Sequence, residues 1–129
     1  MSQDRTSGAD GNRFGRENGK KLAVLLGATL VRRGSNEALW NGKRVVFKSA
    51  AVATKKIGVT YLMLKRLDEV VAALQRDDGA FDLFALPAAK FRASMVPTAS
   101  LGASAGRVGM VRRSLFEASG RSLGVRRLD

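Results

Sequence analysis

One dipeptide, Asn41-Gly42, leaves this chain few ways to arrange its centre. It separates Glu37-Ala38-Leu39-Trp40 from Lys43-Arg44-Val45-Val46-Phe47-Lys48. Asn-Gly between two β-prone runs is the strongest short hairpin signal, because both turn residues need positive φ. A two-residue loop then sets the register. Trp40 faces Lys43, Leu39 faces Arg44, Ala38 faces Val45, Glu37 faces Val46, and Ser35 faces Lys48. Directly paired residues share a face, so Glu37 and Lys48 become diagonal neighbours, roughly 7–8 Å apart at the backbone.

The remaining elements are arranged around that hairpin. Residues 1–16 are mostly Ser, Gly, Asp, Asn and Arg, and read as a flexible N-terminal tail. Leu22, Ala23, Leu25 and Leu26 suit a short helix from Arg16 that stops at Gly27, followed by a strand-like run, Ala28–Val31. Residues 49–58 form a basic connection closed by Gly58. Val59 to Gln75 has apolar residues at 59, 62, 63, 67, 70, 71 and 74, a helical stripe that predicts a long core helix ending before Gly79. Phe81–Leu86 reads as a buried strand ended by Pro87. A short helix to Met95, a Gly/Ser/Ala-rich stretch over Ser100–Gly106, a strand at Val108–Val111 and a helix over 112–119 complete the pattern. The expected fold is a small α/β domain over residues 17–119, with a mixed sheet, a central hairpin at about 35–48, flanking helices, and a basic C-terminal tail at 120–129.

Charge narrows the function. The 129 residues hold 23 Lys plus Arg against 11 Asp plus Glu, a net +12, and a polyanion would relieve that self-repulsion. The distribution is uneven: residues 38–67 contain seven basic residues and no acid, whereas 68–82 contain five acids and Arg76. With no Cys there is neither a disulfide framework nor a thiolate zinc site. With no His, the Ser-His and Cys-His nucleophile pairs are excluded, so any catalysis must rest on carboxylates and Lys. The longest apolar runs, Leu22–Val31 and Ala80–Ala89, are about half the length of a membrane span, and the N-terminus lacks a secretory signal. The expected setting is therefore cytoplasmic, with no membrane partner.

The order helix, strand, hairpin, helix, strand, with Gly27-Ala28-Thr29-Leu30-Val31 ahead of the hairpin, resembles the PD-(D/E)XK or restriction-endonuclease-like core over about residues 16–87. The resemblance implies a nuclease-type site. Glu37 would take the place of the first acid, Lys48 would be the motif Lys, Glu17 the acid of the first helix, and Gln75 the polar residue of the next. Glu37 and Glu17 would then hold Mg²⁺, with Glu37, Lys48 and Gln75 as the catalytic set. Val46 stands where the second acid of the motif belongs, opposite Glu37. A lone carboxylate rarely holds a catalytic Mg²⁺, so binding with weak or absent cleavage is expected. The ligand would be nucleic acid, DNA before RNA, contacted by Lys43, Arg44, Lys55, Lys56, Lys65, Arg66, Arg112 and Arg113, by a monomer or a homodimer.

Two other readings use the same residues. Ala53-Thr54-Lys55-Lys56-Ile57-Gly58-Val59 with Leu64 and Leu67 resembles a helix-turn-helix, which would present Thr60, Tyr61, Lys65 and Arg66 to a major groove. A basic structural or ribosome-associated adaptor would bind through charge alone. Gly102-x-x-x-Gly106-x-x-Gly109 lacks the Gly-Lys-Ser/Thr of a P-loop, though its backbone N–H groups, with Ser100, Ser104 and Arg107, could cradle a phosphate. Trp40 and Tyr61 read as packing residues.

Overall fold

A computed structural model describes residues 2–98 and 106–128, with side chains from residue 13 onward. At its centre lies the expected hairpin. β2 (Glu37–Trp40) and β3 (Lys43–Ala50) pair antiparallel with Glu37 opposite Val46 and Trp40 opposite Lys43. Asn41 and Gly42 have φ of 52° and 75°, the primed-turn geometry that the dipeptide favours. Ladder pairing stops at Glu37, so the expected Ser35–Lys48 pair does not form, and the Ser35 hydroxyl instead accepts from the Glu37 N–H at 3.0 Å.

The chain is a mixed α/β fold built on a six-stranded sheet flanked by helices. α1 (Ser2–Leu26) precedes β1 (Thr29–Leu30), which pairs antiparallel with β2. After β3 come β4 (Lys56–Thr60), the one-turn α2 (Tyr61–Leu64) and β5 (Glu69–Gln75), which returns parallel to β3. β6 (Phe81–Pro87), α3 (Ala88–Ser94), β7 (Val96–Pro97), β8 (Val108–Arg112), α4 (Arg113–Ser119) and β9 (Arg121–Arg126) complete it. The main sheet runs β1-β2-β3-β5-β6-β9, and a small antiparallel sheet runs β4-β8-β7. Residues 99–105, which carry the Gly102 end of the glycine motif with Ser100 and Ser104, lie outside the described residues.

β3 and β5 are buried on both faces. Val45, Phe47, Val71 and Ala73 face α1 with Leu22 and Ala23. Val46, Ala50, Val70, Ala72 and Leu74 face Ile57, Val59 and Val111 of the small sheet and Leu64, Phe91 and Phe116 of the short helices. That burial corrects the expected helix over 59–75. Glu69–Gln75 is a central strand, and its unbroken apolar run with adjacent β-branched valines is what a strand covered on both sides requires. The stripe at 59–75 merged a strand, a helical turn and a second strand into one false period. Val59, Leu67, Val70, Val71 and Leu74 are core residues in both arrangements, which is why the pattern misled, whereas Leu62 of the same stripe is exposed.

Both ends also depart from expectation. α1 begins at Ser2, inside the stretch expected as a tail, and is anchored where Phe14 meets Phe81 at a ring-centroid distance of 6.2 Å. Its C-terminus stops, as expected, at Gly27, with φ 71°. Residues expected as a basic C-terminal tail instead form β9, which pairs with β6 through a bulge at Leu83/Phe84. Pairing there covers the hydrogen-bonding edge that β6 would otherwise expose.

α1 sits close to the hairpin because it carries glycine at the contact. A Cβ at Gly19 would stand 2.3 Å from Asn36 Oδ1 and 2.6 Å from its Cγ, and Asn36 Nδ2 already donates to the Gly15 carbonyl at 3.3 Å. Helix propensity alone makes Gly→Ala favourable by about 1 kcal/mol. Here overpacking of about 1–3 kcal/mol opposes it. Gly19→Ala is expected to lower the urea midpoint; an increase would show that Asn36 yields without cost.

Candidate nucleic-acid interface

Glu37 and Lys48 lie on one sheet face, but they do not form a common site. Glu37 is 3% exposed, and both of its oxygens are occupied. Arg66 Nη2 donates to Oε1 at 2.9 Å and Arg66 Nε to Oε2 at 3.0 Å, while Arg44 Nε donates to Oε2. The hydrogen bond from Arg66, with help from Arg44, holds the Glu37 carboxyl below the usual carboxylate range despite its burial. The expected Glu37–Lys48 neighbourhood is therefore replaced. Arg44 sits on the other diagonal from Glu37, and Arg66, just past α2, supplies the second cation.

The rest of the expected metal and catalytic set is scattered. Glu17 is exposed on α1 and lines a groove with Arg13, Arg16, Lys20 and Arg33, away from the Glu37 carboxylate's partners. Gln75 ends β5 rather than sitting on a helix; it lines a groove with Asp77, Asp78 and Asp82, and its carbonyl accepts from Arg113. Val46 is 1% exposed in the core. Among the described residues no three Asp or Glu side chains come together in a metal-holding group. Two arginines saturate Glu37 and hydrocarbon fills position 46, so these residues do not fit a Mg²⁺ site.

Lys48 has a different neighbourhood. It is half-buried, it has no hydrogen-bond or ion-pair partner among the described residues, and desolvation lowers its ammonium pKa. It lines a cavity of about 590 Å³ between α1 and β4, with Arg16, Asn36, Ser49 and Lys56. Ser49 Oγ is buried without a partner. The lining thus holds three cations, a spare hydroxyl and an amide, and no carboxylate. Such a lining suits an oxyanion with several acceptor oxygens. Sequence reasoning found Lys48 and Lys56 but missed Arg16, Asn36 and Ser49. Asn36 was within reach of the register argument, since the Phe47 N–H donates to its carbonyl at 2.9 Å. Arg16 had no local signal, because only the docking of α1 brings it there.

The other expected nucleic-acid contacts divide into two groups. Lys43 pairs with buried Glu69 at 3.5 Å, Arg44 and Arg66 hold Glu37, and Arg113 binds the carbonyls of Ala51, Val52 and Thr54. These four carry structural bonds. Lys55, Lys56, Lys65 and Arg112 are exposed and have no partner among the described residues. The helix-turn-helix expectation does not survive. Residues 53–67 contain strand β4 and one helical turn, with Thr60 Oγ1 accepting from the Met63 N–H at 3.2 Å as its N-cap. Trp40 packs as expected, its Nε1 donating to the Leu26 carbonyl at 3.1 Å.

No protein-family model matches the chain, and no curated protein matches it significantly. The described residues contain no helix long and apolar enough to cross a membrane.

Proposed function

We propose that this protein binds nucleic acid, DNA by the resemblance, through a restriction-endonuclease-like core whose metal position has been given up, and that the Lys48 cavity seats a backbone phosphate. The observation carrying this reading is the unpartnered, desolvated Lys48 in a carboxylate-free cavity beside Arg16 and Lys56. The order of the main sheet supports the core assignment. Three antiparallel strands are followed by a crossover to a strand parallel to the third, although the crossover runs through β4 and the one-turn α2 in place of the long helix in the element order that prompted the resemblance. A Glu37 locked between two arginines favours binding over cutting.

Lys48 supplies a test that separates binding from folding. Its folded-state pKa is depressed below 10.5, so its charged form is disfavoured by the fold. The corresponding stability is fully present only above the unfolded pKa, and it is lost as pH falls through the folded value. Lys48→Met is therefore expected to raise the melting temperature at neutral pH while lowering affinity for a labelled duplex about tenfold or more. Its salt slope should fall by about 0.9, one released counterion. Anisotropy titrations at about 50 and 200 mM salt, beside thermal melts, measure both. Unchanged affinity in a folded Lys48→Met protein would remove the basis for this reading.

A further inference from the structure

The small sheet contains a charge arrangement that works against its own stability. Lys56 of β4 and Arg112 of β8 are directly opposite each other in antiparallel register. Ile57, Val59 and Val111 are buried, so Lys56 and Arg112 share the other, outer face, where both are exposed. Like charges directly opposite on paired strands repel and weaken the pairing. Neither side chain has a carboxylate partner among the described residues. Lys55 adds a third cation, and the three line a cavity of about 610 Å³ with Arg113, Ser114 and Glu117.

Two details describe the surroundings of this cation pair. Arg113 ties down the segment leading into β4 by donating to the carbonyls of Ala51, Val52 and Thr54 at 3.0–3.2 Å, and its own N–H donates to the Lys55 carbonyl at 2.9 Å. Lys55 and Lys56 are thus presented on an anchored backbone. Farther along the same face, Met110 lies across Gly58, where a Cβ would meet its sulfur at 2.6 Å, which leaves a low apolar surface beside the cations. Lys56 also lines the Lys48 cavity, so one lysine stands between two basic cavities.

We propose that the Lys56–Arg112 pair is a second phosphate subsite, adjacent to the Lys48 cavity, and that the ligand is a nucleic-acid strand presenting consecutive phosphates rather than a mononucleotide. The inference rests on the nucleic-acid reading above and specifies its ligand. A phosphate between the two cations converts a repulsive cross-strand pair into a bridged one, and so recovers on binding what the free sheet gives up.

Arg112→Ala and Arg112→Glu test this against single-stranded oligonucleotides of about 4 to 16 nucleotides, with a nucleoside monophosphate as the short limit. For wild type, affinity should rise with length. Arg112→Ala should lose roughly three- to tenfold on the longest strand and nothing on the monophosphate, with a salt slope smaller by about 0.7. Arg112→Glu should bind the long strand still more weakly yet melt higher than wild type, because Lys56 then faces a carboxylate. A structural role for Arg112 would give the reverse, with lower melting temperatures in both variants, and would overturn the subsite. Wild-type affinity of Arg112→Ala on the longest strand, while Lys48→Met still weakens binding, would overturn the subsite and leave the nucleic-acid reading standing. Loss of the Lys48→Met effect would overturn that reading, and the subsite with it.

Discussion

Val46→Asp is expected to unfold the centre of the sheet rather than create a metal-dependent nuclease site. Val46 is 1% exposed and belongs to the core cluster that includes Val70, Leu64 and Leu67. It lies directly opposite Glu37, whose carboxylate already uses Arg44 and Arg66. A new carboxylate there would be buried without its own cation, beside a like charge. Such a group costs about 3–5 kcal/mol, a large share of the roughly 5–15 kcal/mol that keeps a domain folded. The urea midpoint should fall sharply, and Mg²⁺ should not rescue it. A folded Val46→Asp protein with wild-type stability and new Mg²⁺-dependent cleavage would show that position 46 can hold a working carboxylate. Val46→Ile, which adds one methylene, should cost far less, and that contrast separates charge from volume.

Glu37→Gln should destabilise the protein at neutral pH, and the deficit should vanish in acid. Hydrogen bonds to a charged group contribute about 1.5–3 kcal/mol. Both guanidiniums here are more than a third exposed, at 38% and 43%, so water screens part of the gain. A loss of about 1–2 kcal/mol is the reasonable expectation. The sign of the pH dependence follows from the depressed carboxyl pKa. The stability Glu37 contributes is present above its unfolded value of about 4.5 and is lost as pH falls through the lower folded value. Urea midpoints for wild type and Glu37→Gln should therefore converge as pH drops below about 4.5. Parallel curves across that window would mean that the carboxylate is not the group under tension with Arg44 and Arg66. Arg66→Ala should narrow the same window, since its hydrogen bond is the largest cause of the shift.

Glu37 and Val46 also show why the site was harder to read than the fold around it. Position 46 faces position 37 by register alone, and that relation was available from the Asn-Gly turn. Which cation closes on Glu37 was not. Arg44 and Lys48 are equivalent diagonals in the ladder, both basic, and nothing local distinguishes them. The choice was made from outside the hairpin. Arg66 approaches Glu37 from beyond α2, and Asp68 takes the Arg44 N–H at 2.8 Å, so Arg44 is drawn into the cluster and Lys48 is left over the cavity.

Several local features were determined by the sequence by itself: the hairpin and its register, the stop at Gly27, the strand before Pro87, the helices at 88–94 and 113–119, and the absence of His and Cys chemistry. Each depends on neighbours within a few residues. A positive-φ turn, a ring that cannot donate and a missing side chain act at short range whatever the rest of the chain does. Tertiary structure decided the remainder. Residues 69–75 become a strand because β3 and β6 supply hydrogen bonds on either side and apolar cover lies on both faces, terms no local period reports. The Lys48 cavity exists only because α1 packs on the hairpin through Gly19 while β4 closes the opposite wall, which brings together residues 16, 36, 48 and 56. Their shared chemistry depends on long-range packing, so no stretch of sequence carries it alone.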